Sequence, residues 1–157
     1  MKDLMSTNSG DFDSLDRKAL DELSKGIYYE CVEHGPESYR MCTSYFYMGE
    51  LFKLRAMVTK EMEEKKEYER KMTQHRNAKS FFAKIIEIWK DFILQNDFDQ
   101  DQGSERSPID AIYYLEAKQQ MYTILKYLNQ TSTGNDTLEA ECVFTYGLIE
   151  LKIGEDY

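Results

Sequence analysis

Three aspartates at alternate positions, Asp97, Asp99 and Asp101, are spaced for metal chemistry. They fit positions 1, 3 and 5 of a helix-flanked calcium loop, where hard carboxylate oxygens converge on the cation. That geometry also demands glycine at position 6, for the sharp turn, and a bidentate glutamate at position 12. Position 6 is Gln102, with Gly103 one residue late, and position 12 is Pro108. Both demanding positions fail, so residues 96–107 read as a solvated acidic loop. His34 and His75 have no Cys or His at i+3 or i+4, and read as helix-end or surface residues. Cys31, Cys42 and Cys142 are odd in number and lack CxxC spacing, which argues against a disulfide framework and a zinc site and points to a reduced, cytosolic compartment. Cys31 and Cys42 fall on apolar stripes and read as packing residues. No GxSxG, P-loop, HExxH or nucleotide fingerprint occurs, and no pair of carboxylates stands out in an apolar setting. The expectation is a non-enzymatic protein with no catalytic residues, no metal and no cofactor.

Charge narrows the partners. Asp and Glu number 29 against 20 Lys and Arg, a net charge of -9 that repels phosphate backbones and disfavours nucleic acid. No apolar run is long enough to cross a bilayer, and the opening residues lack a secretory signal's apolar core, so no membrane partner is expected. With two prolines and eight glycines in 157 residues, breakers are scarce enough for long helices.

Helices must therefore position whatever this chain does. Residues 1–12 are polar and aperiodic and read as a flexible leader before an array spanning 13–157. Leu15, Ala19, Leu20, Leu23, Ile27 and Cys31 form one helical stripe. It ends at Gly35, able to take the left-handed C-terminal conformation, and Pro36, suited to open the next helix. Met41, Tyr45, Met48 and Phe52 make the second stripe, with Gly49 inside it. Residues 53–76 then hold eight Lys or Arg against five Glu, a local excess of basic charge on an acidic chain. They read either as two helices reversing near residues 60–68 or as one long helix. Phe81, Ile85, Ile88 and Phe92, beside Phe82, Ile86, Trp89 and Ile93, form a face wide enough to be covered on two sides. Ser107, Pro108 and Asp110 open a helix carrying Ile112, Leu115, Met121, Ile124, Leu125 and Leu128. Asp136 and Glu139 read as a capping box for a last helix with Leu138, Cys142, Tyr146, Ile149 and Ile153.

These helices fit the tetratricopeptide pattern of W-x2-L-G-x2-Y followed by A-x3-F. Tyr45-x2-Met48-Gly49-x2-Phe52 matches the first half and Ala78-x3-Phe82 the second, with Trp89 and Phe82 anchoring the stack. An ordinary repeat separates the glycine and the alanine by about a dozen positions, so roughly 17 residues are extra here. Shared between two helices, they extend each by about 13 Å, and a charged hairpin projecting from the array is expected. A second match begins at Val143-x2-Tyr146-Gly147 and reaches a turn at Gly154. The expectation is that a longer protein or a partner completes that repeat.

The residues Ile27-Tyr28-Tyr29, Cys31, Gly35-Pro36-Glu37, Arg40, Thr43, Tyr45-Phe46 and Phe52, then Lys84-Ile85-Ile86-Glu87-Ile88-Trp89, carry a resemblance. This chain resembles the C-terminal tetratricopeptide half of the zinc finger MYND domain-containing protein 12 family over residues 24–52 and 78–94. The resemblance implies a scaffold of the motile cilium or flagellum axoneme, a cytoskeletal setting on doublet microtubules. The implied partners are a tetratricopeptide repeat protein and inner dynein arm components. The family's zinc finger is absent, so no zinc function carries over, and the 53–76 insertion is foreign to the pattern.

Tyr28, Tyr29, Tyr45, Phe46 and Tyr47 have two readings, core packing between helices or a groove of aromatic side chains that bind a partner at low entropic cost. Lys65, Lys66, Arg70 and Lys71 have a similar pair, a solvated face or a contact with acidic tubulin or dynein surfaces. The competing function is a cytosolic tetratricopeptide adaptor or cochaperone that binds peptide tails through a Lys/Arg carboxylate clamp.

Overall fold

The computed structural model describes the backbone of residues 2–58, 64–99, 108–131 and 135–156, and the side chains of 16–57, 68–95, 112–131 and 135–154. Its elements are α1 (Lys2–His34), a 3₁₀ turn (Tyr39–Met41), α2 (Cys42–Val58), α3 (Glu64–Asp99), α4 (Pro108–Gln130) and α5 (Asp136–Asp156). The protein is all-α, as expected, and no strand occurs among the described residues. It divides into two compact units, residues 1–79 and 80–157, and α3 runs through the boundary.

The first unit is built on the α1–α2 hairpin. α1 begins at Lys2, so the stretch expected to be a leader is helical from its second residue. Backbone hydrogen bonding needs no apolar stripe, so a helix forms there even though Ser6, Thr7, Asn8, Ser9 and Gly10 are weak helix formers. At the other end Gly35 has φ +87°, and its N–H donates to the Cys31 carbonyl at 2.9 Å. This is the left-handed cap the sequence suggests. Pro36 does not open the next helix; it lies in a turn, and Ser38 caps the 3₁₀ turn by accepting from the Arg40 N–H at 3.3 Å. α2 buries Cys42, Tyr45, Met48, Gly49 and Ala56.

Three side-chain pairs set the hairpin's register. The Ser44 hydroxyl lies 2.9 and 3.0 Å from the two oxygens of the Glu30 carboxylate. Cys31 Sγ is 3.7 Å from Tyr45 Oη, and Arg55 Nε donates to Asp16 Oδ2 at 2.7 Å. Descending α1 from 31 to 16 climbs α2 from 45 to 55, so the helices are antiparallel. The Arg55 guanidinium also lies 5.7 Å from the half-buried Phe52 ring, within cation–π range. Within 53–76 the chain forms two helices, α2 ending at Val58 and α3 starting at Glu64, while residues 59–63 lie outside the described residues.

The second unit wraps the C-terminal part of α3 with α4 and α5. Phe82, Ile85, Ile86, Ile88, Trp89 and Ile93 are all buried, the wide face the two adjacent stripes call for. Phe82 meets Tyr127 edge-on at 5.4 Å, and Trp89 lies 5.6 Å from Tyr114, so α3 and α4 run antiparallel. Such aromatic pairs contribute about 0.5–1.5 kcal/mol beyond area burial. Along the described part of α4 the buried residues are Tyr114, Ala117, Gln120, Met121, Ile124, Tyr127 and Leu128, whereas Ile112 and Leu115 are exposed. The expected stripe is thus corrected in its first two turns, because ambivalent Tyr114 and small Ala117 take the core positions.

Asn135, not Asp136, caps α5. Its carbonyl accepts from the Glu139 N–H at 2.8 Å, while its Nδ2 donates to the carbonyls of Leu128 (3.2 Å) and Thr131 (2.6 Å). The buried side-chain amide of Asn135 therefore satisfies carbonyls at the end of α4, and its backbone carbonyl accepts the first hydrogen bond of α5. The core face of α5 is Cys142, Thr145, Ile149 and Lys152, with Leu138, Tyr146 and Ile153 only half-buried. Thr145 donates to the Glu141 carbonyl at 2.8 Å and so buries no unmet hydroxyl. Gly154 is helical, inside α5, and not at the expected turn. Of the acidic loop, Asn96 to Asp99 extend α3; Asp101 and the rest of the candidate calcium positions before Pro108 lie outside the described residues.

Candidate protein-binding surface

Tyr28 and Tyr29 stand on the outer side of α1, 65% and 70% exposed, with their rings edge-to-face at 5.5 Å. Val32, one turn on, is exposed too, a position sequence reasoning passed over because it continues no core stripe. The register that pairs Glu30 with Ser44 and Cys31 with Tyr45 brings Tyr47, also exposed, to the level of Tyr28 on α2. Three tyrosines thus offer flat apolar rings with polar tips to a partner, the residue type that binds at small entropic cost.

Tyr45 leaves this set. Only 7% exposed, it donates its hydroxyl to the Pro36 carbonyl at 2.9 Å and faces Cys31. Burial, then the hydrogen bond with Cys31, pushes its hydroxyl well above the ordinary tyrosine range. Tyr45 fastens α2 to the turn after α1, and its ring serves the core reading of the repeat positions. Of the other repeat positions Met48, Gly49, Ala78, Phe82 and Trp89 are buried, and Phe52 is half-buried. The second match fares differently. Tyr146 is half-buried, Gly147 and Gly154 are exposed, and a Cβ at either glycine meets nothing within 4 Å. Among the described residues none packs against those glycines.

Basic charge lies on α3. Arg70, Lys71 and Arg76 are exposed, beside exposed Tyr68 and Met72, while the side chains of Lys65 and Lys66 lie outside the described residues. Burial, then Lys79 and Lys71, holds the His75 imidazole below its usual value, which disfavours its charged form. The buried thiol of Cys142 is pushed up to about 12 by burial and lies 3.4 Å from the Met121 carbonyl. At that value it is a packing group with no thiolate to react.

Among the described residues no three His, Cys, Asp or Glu side chains come together to hold a metal ion. Among them, too, no helix is long and apolar enough to cross a membrane. Compared with protein-family models, with curated proteins and with solved structures, the chain has no match.

Proposed function

We propose that this chain is a non-catalytic protein-binding scaffold, built of tetratricopeptide-like hairpins, that serves in the axoneme of the motile cilium or flagellum. The observation that carries the binding role is the exposure of Tyr28, Tyr29 and Tyr47, with Val32 beside the first two, on a hairpin held in register by internal side-chain bonds. A rigid hairpin pays little ordering entropy when it binds, so rings fixed on it make efficient contacts. The axonemal setting draws on the likeness over residues 24–52 and 78–94. Its partners there are a tetratricopeptide repeat protein and inner dynein arm components, with the basic segment of α3 suited to acidic tubulin.

The test is fractionation of motile ciliated cells expressing the tagged chain. Retention with detergent-extracted doublet microtubules, lost in a Tyr28→Ser/Tyr29→Ser variant that keeps its helix content, supports the reading. Recovery solely with soluble chaperones overturns it. That outcome favours the second reading, an adaptor or cochaperone that clamps acidic peptide tails, for which exposed Arg70, Lys71 and Arg76 supply the charge.

A further inference from the structure

α5 has two apolar faces, and only one is used by its own unit. Cys142, Thr145, Ile149 and Lys152 point into the core. On the opposite side Ala140, Phe144, Gly147, Leu151 and Gly154 recur at alternating steps of four and three, the spacing of a coiled-coil seam, and all five are exposed. Phe144 and Leu151 are 53% and 56% exposed, and Val143 beside them is exposed as well. The space outside Gly147 and Gly154 is open. The surrounding charge is of one sign. α5 carries a single basic residue, Lys152, which is buried, and among its described side chains the exposed or half-exposed ionic ones are Asp136, Glu139, Glu141 and Glu150. Lys118 of α4 already engages Glu150 at 2.7 Å, so among the described side chains of α5 the remaining negative charge is that of Asp136, Glu139 and Glu141.

The exposed part of α3 is its counterpart. Tyr68 and Met72 are exposed one turn apart, and Arg70, Lys71 and Arg76 around them outweigh Glu69. The two surfaces fit in length, since the fully exposed run of α3, residues 68–73, spans about 8 Å and lies within the roughly 21 Å from Ala140 to Gly154 at 1.5 Å per residue. They also agree in relief, since α3 offers large side chains where α5 offers glycine, and in charge. We infer that a second copy of this chain docks the Tyr68–Met72 face of its α3 onto the Phe144–Gly147–Leu151 seam of α5. The contact joins two different surfaces, so each copy keeps one face of each kind free and association continues past the dimer unless a ring closes. This goes beyond the scaffold reading, because the partner is the chain itself.

Sedimentation velocity of the full chain at low salt, over a wide concentration range, tests it. The mass should rise with concentration above the 18.6 kDa of one chain, and added salt should reverse the rise, since these charges sit at the surface. Asp136→Lys/Glu141→Lys and, separately, Arg70→Glu/Lys71→Glu should each weaken association about tenfold or more. Mixed together, the two variants should associate, because each then meets an opposite charge. Gly147→Leu, which meets no atom of its own chain, should keep the helix content and lose the association. A monomer at every concentration, association indifferent to salt and to these changes, or a mixture that stays monomeric overturns the proposal.

Discussion

The two units of this protein are held together by different means. In residues 80–157 helices meet through buried side chains, with Phe82, Trp89, Met121, Ile124, Leu128 and Ile149 all nearly or fully out of water. In residues 1–79 the described part of α1 has no fully buried side chain, and its hairpin with α2 is set by Glu30–Ser44, Cys31–Tyr45 and Asp16–Arg55. Apolar burial is non-directional and strong in sum, whereas a hydrogen bond contributes only about 0.5–1.5 kcal/mol but fixes geometry. The second unit therefore buries the larger side chains, while the first adds directional cross-helix bonds to a smaller buried set that includes Met41, Cys42, Met48, Ala56 and Ala78.

The largest test of that contrast is Phe82→Ala. Removing a fully buried ring that meets Tyr127 should cost about 3–5 kcal/mol. Hydrogen exchange should show α4 and α5 opening far more readily; protection left intact there would erase the distinction. Gly49→Leu comes next. Overpacking a buried helical position should destabilise by about 1–3 kcal/mol, and an unchanged melting temperature would count against the repeat reading of Tyr45-x2-Met48-Gly49. Tyr45→Phe removes one hydroxyl and its bond to the Pro36 carbonyl, so urea unfolding should show a loss of about 1 kcal/mol. A loss as large as that of Phe82→Ala would mean that the first unit, too, lives on its interior.

The smallest effect is a pH dependence. Lys118 first, and Tyr146 second, hold the Glu150 carboxyl below its usual value. A carboxylate depressed in the folded state stabilises above its unfolded pKa, and that contribution fades as pH falls through the folded value. Thermal melts of Lys118→Met against the parent chain should differ slightly at neutral pH and converge below about pH 4. The pair is exposed, so the difference stays small. A gap that persists at low pH would show Lys118 acting through packing.

Much of the second unit was legible because its stripes are unambiguous. Phe82, Ile86, Trp89 and Ile93 repeat at helical steps and contain nothing that prefers water. Reading failed where residue types are ambivalent. Tyr114 and Ala117 entered the core ahead of Ile112 and Leu115, and Lys152 was buried while Phe144 and Leu151 were left outside. The candidate surface followed the same rule. Tyr28, Tyr29, Tyr45 and Tyr47 are one residue type within twenty positions, and only the cross-helix register separates the buried Tyr45 from the three that face solvent. Glycine gave a parallel ambiguity, since Gly49 is buried in a helix and Gly35 has positive φ, while Gly147 and Gly154 face open space.

By itself the sequence determined that the chain is helical, where α1 stops at Gly35 and α4 starts at Pro108, and which wide face of α3 seeks cover. These are local matters of backbone torsion and apolar period, which depend on neighbours a few residues away. Tertiary structure decided which side of α4 and α5 turns inward, that Tyr45 is a fastener, and that Asn135 joins two helices. Those outcomes depend on how far one helix is rotated against another, and a rotation of a few tens of degrees exchanges a buried residue for an exposed one without altering the period that both share.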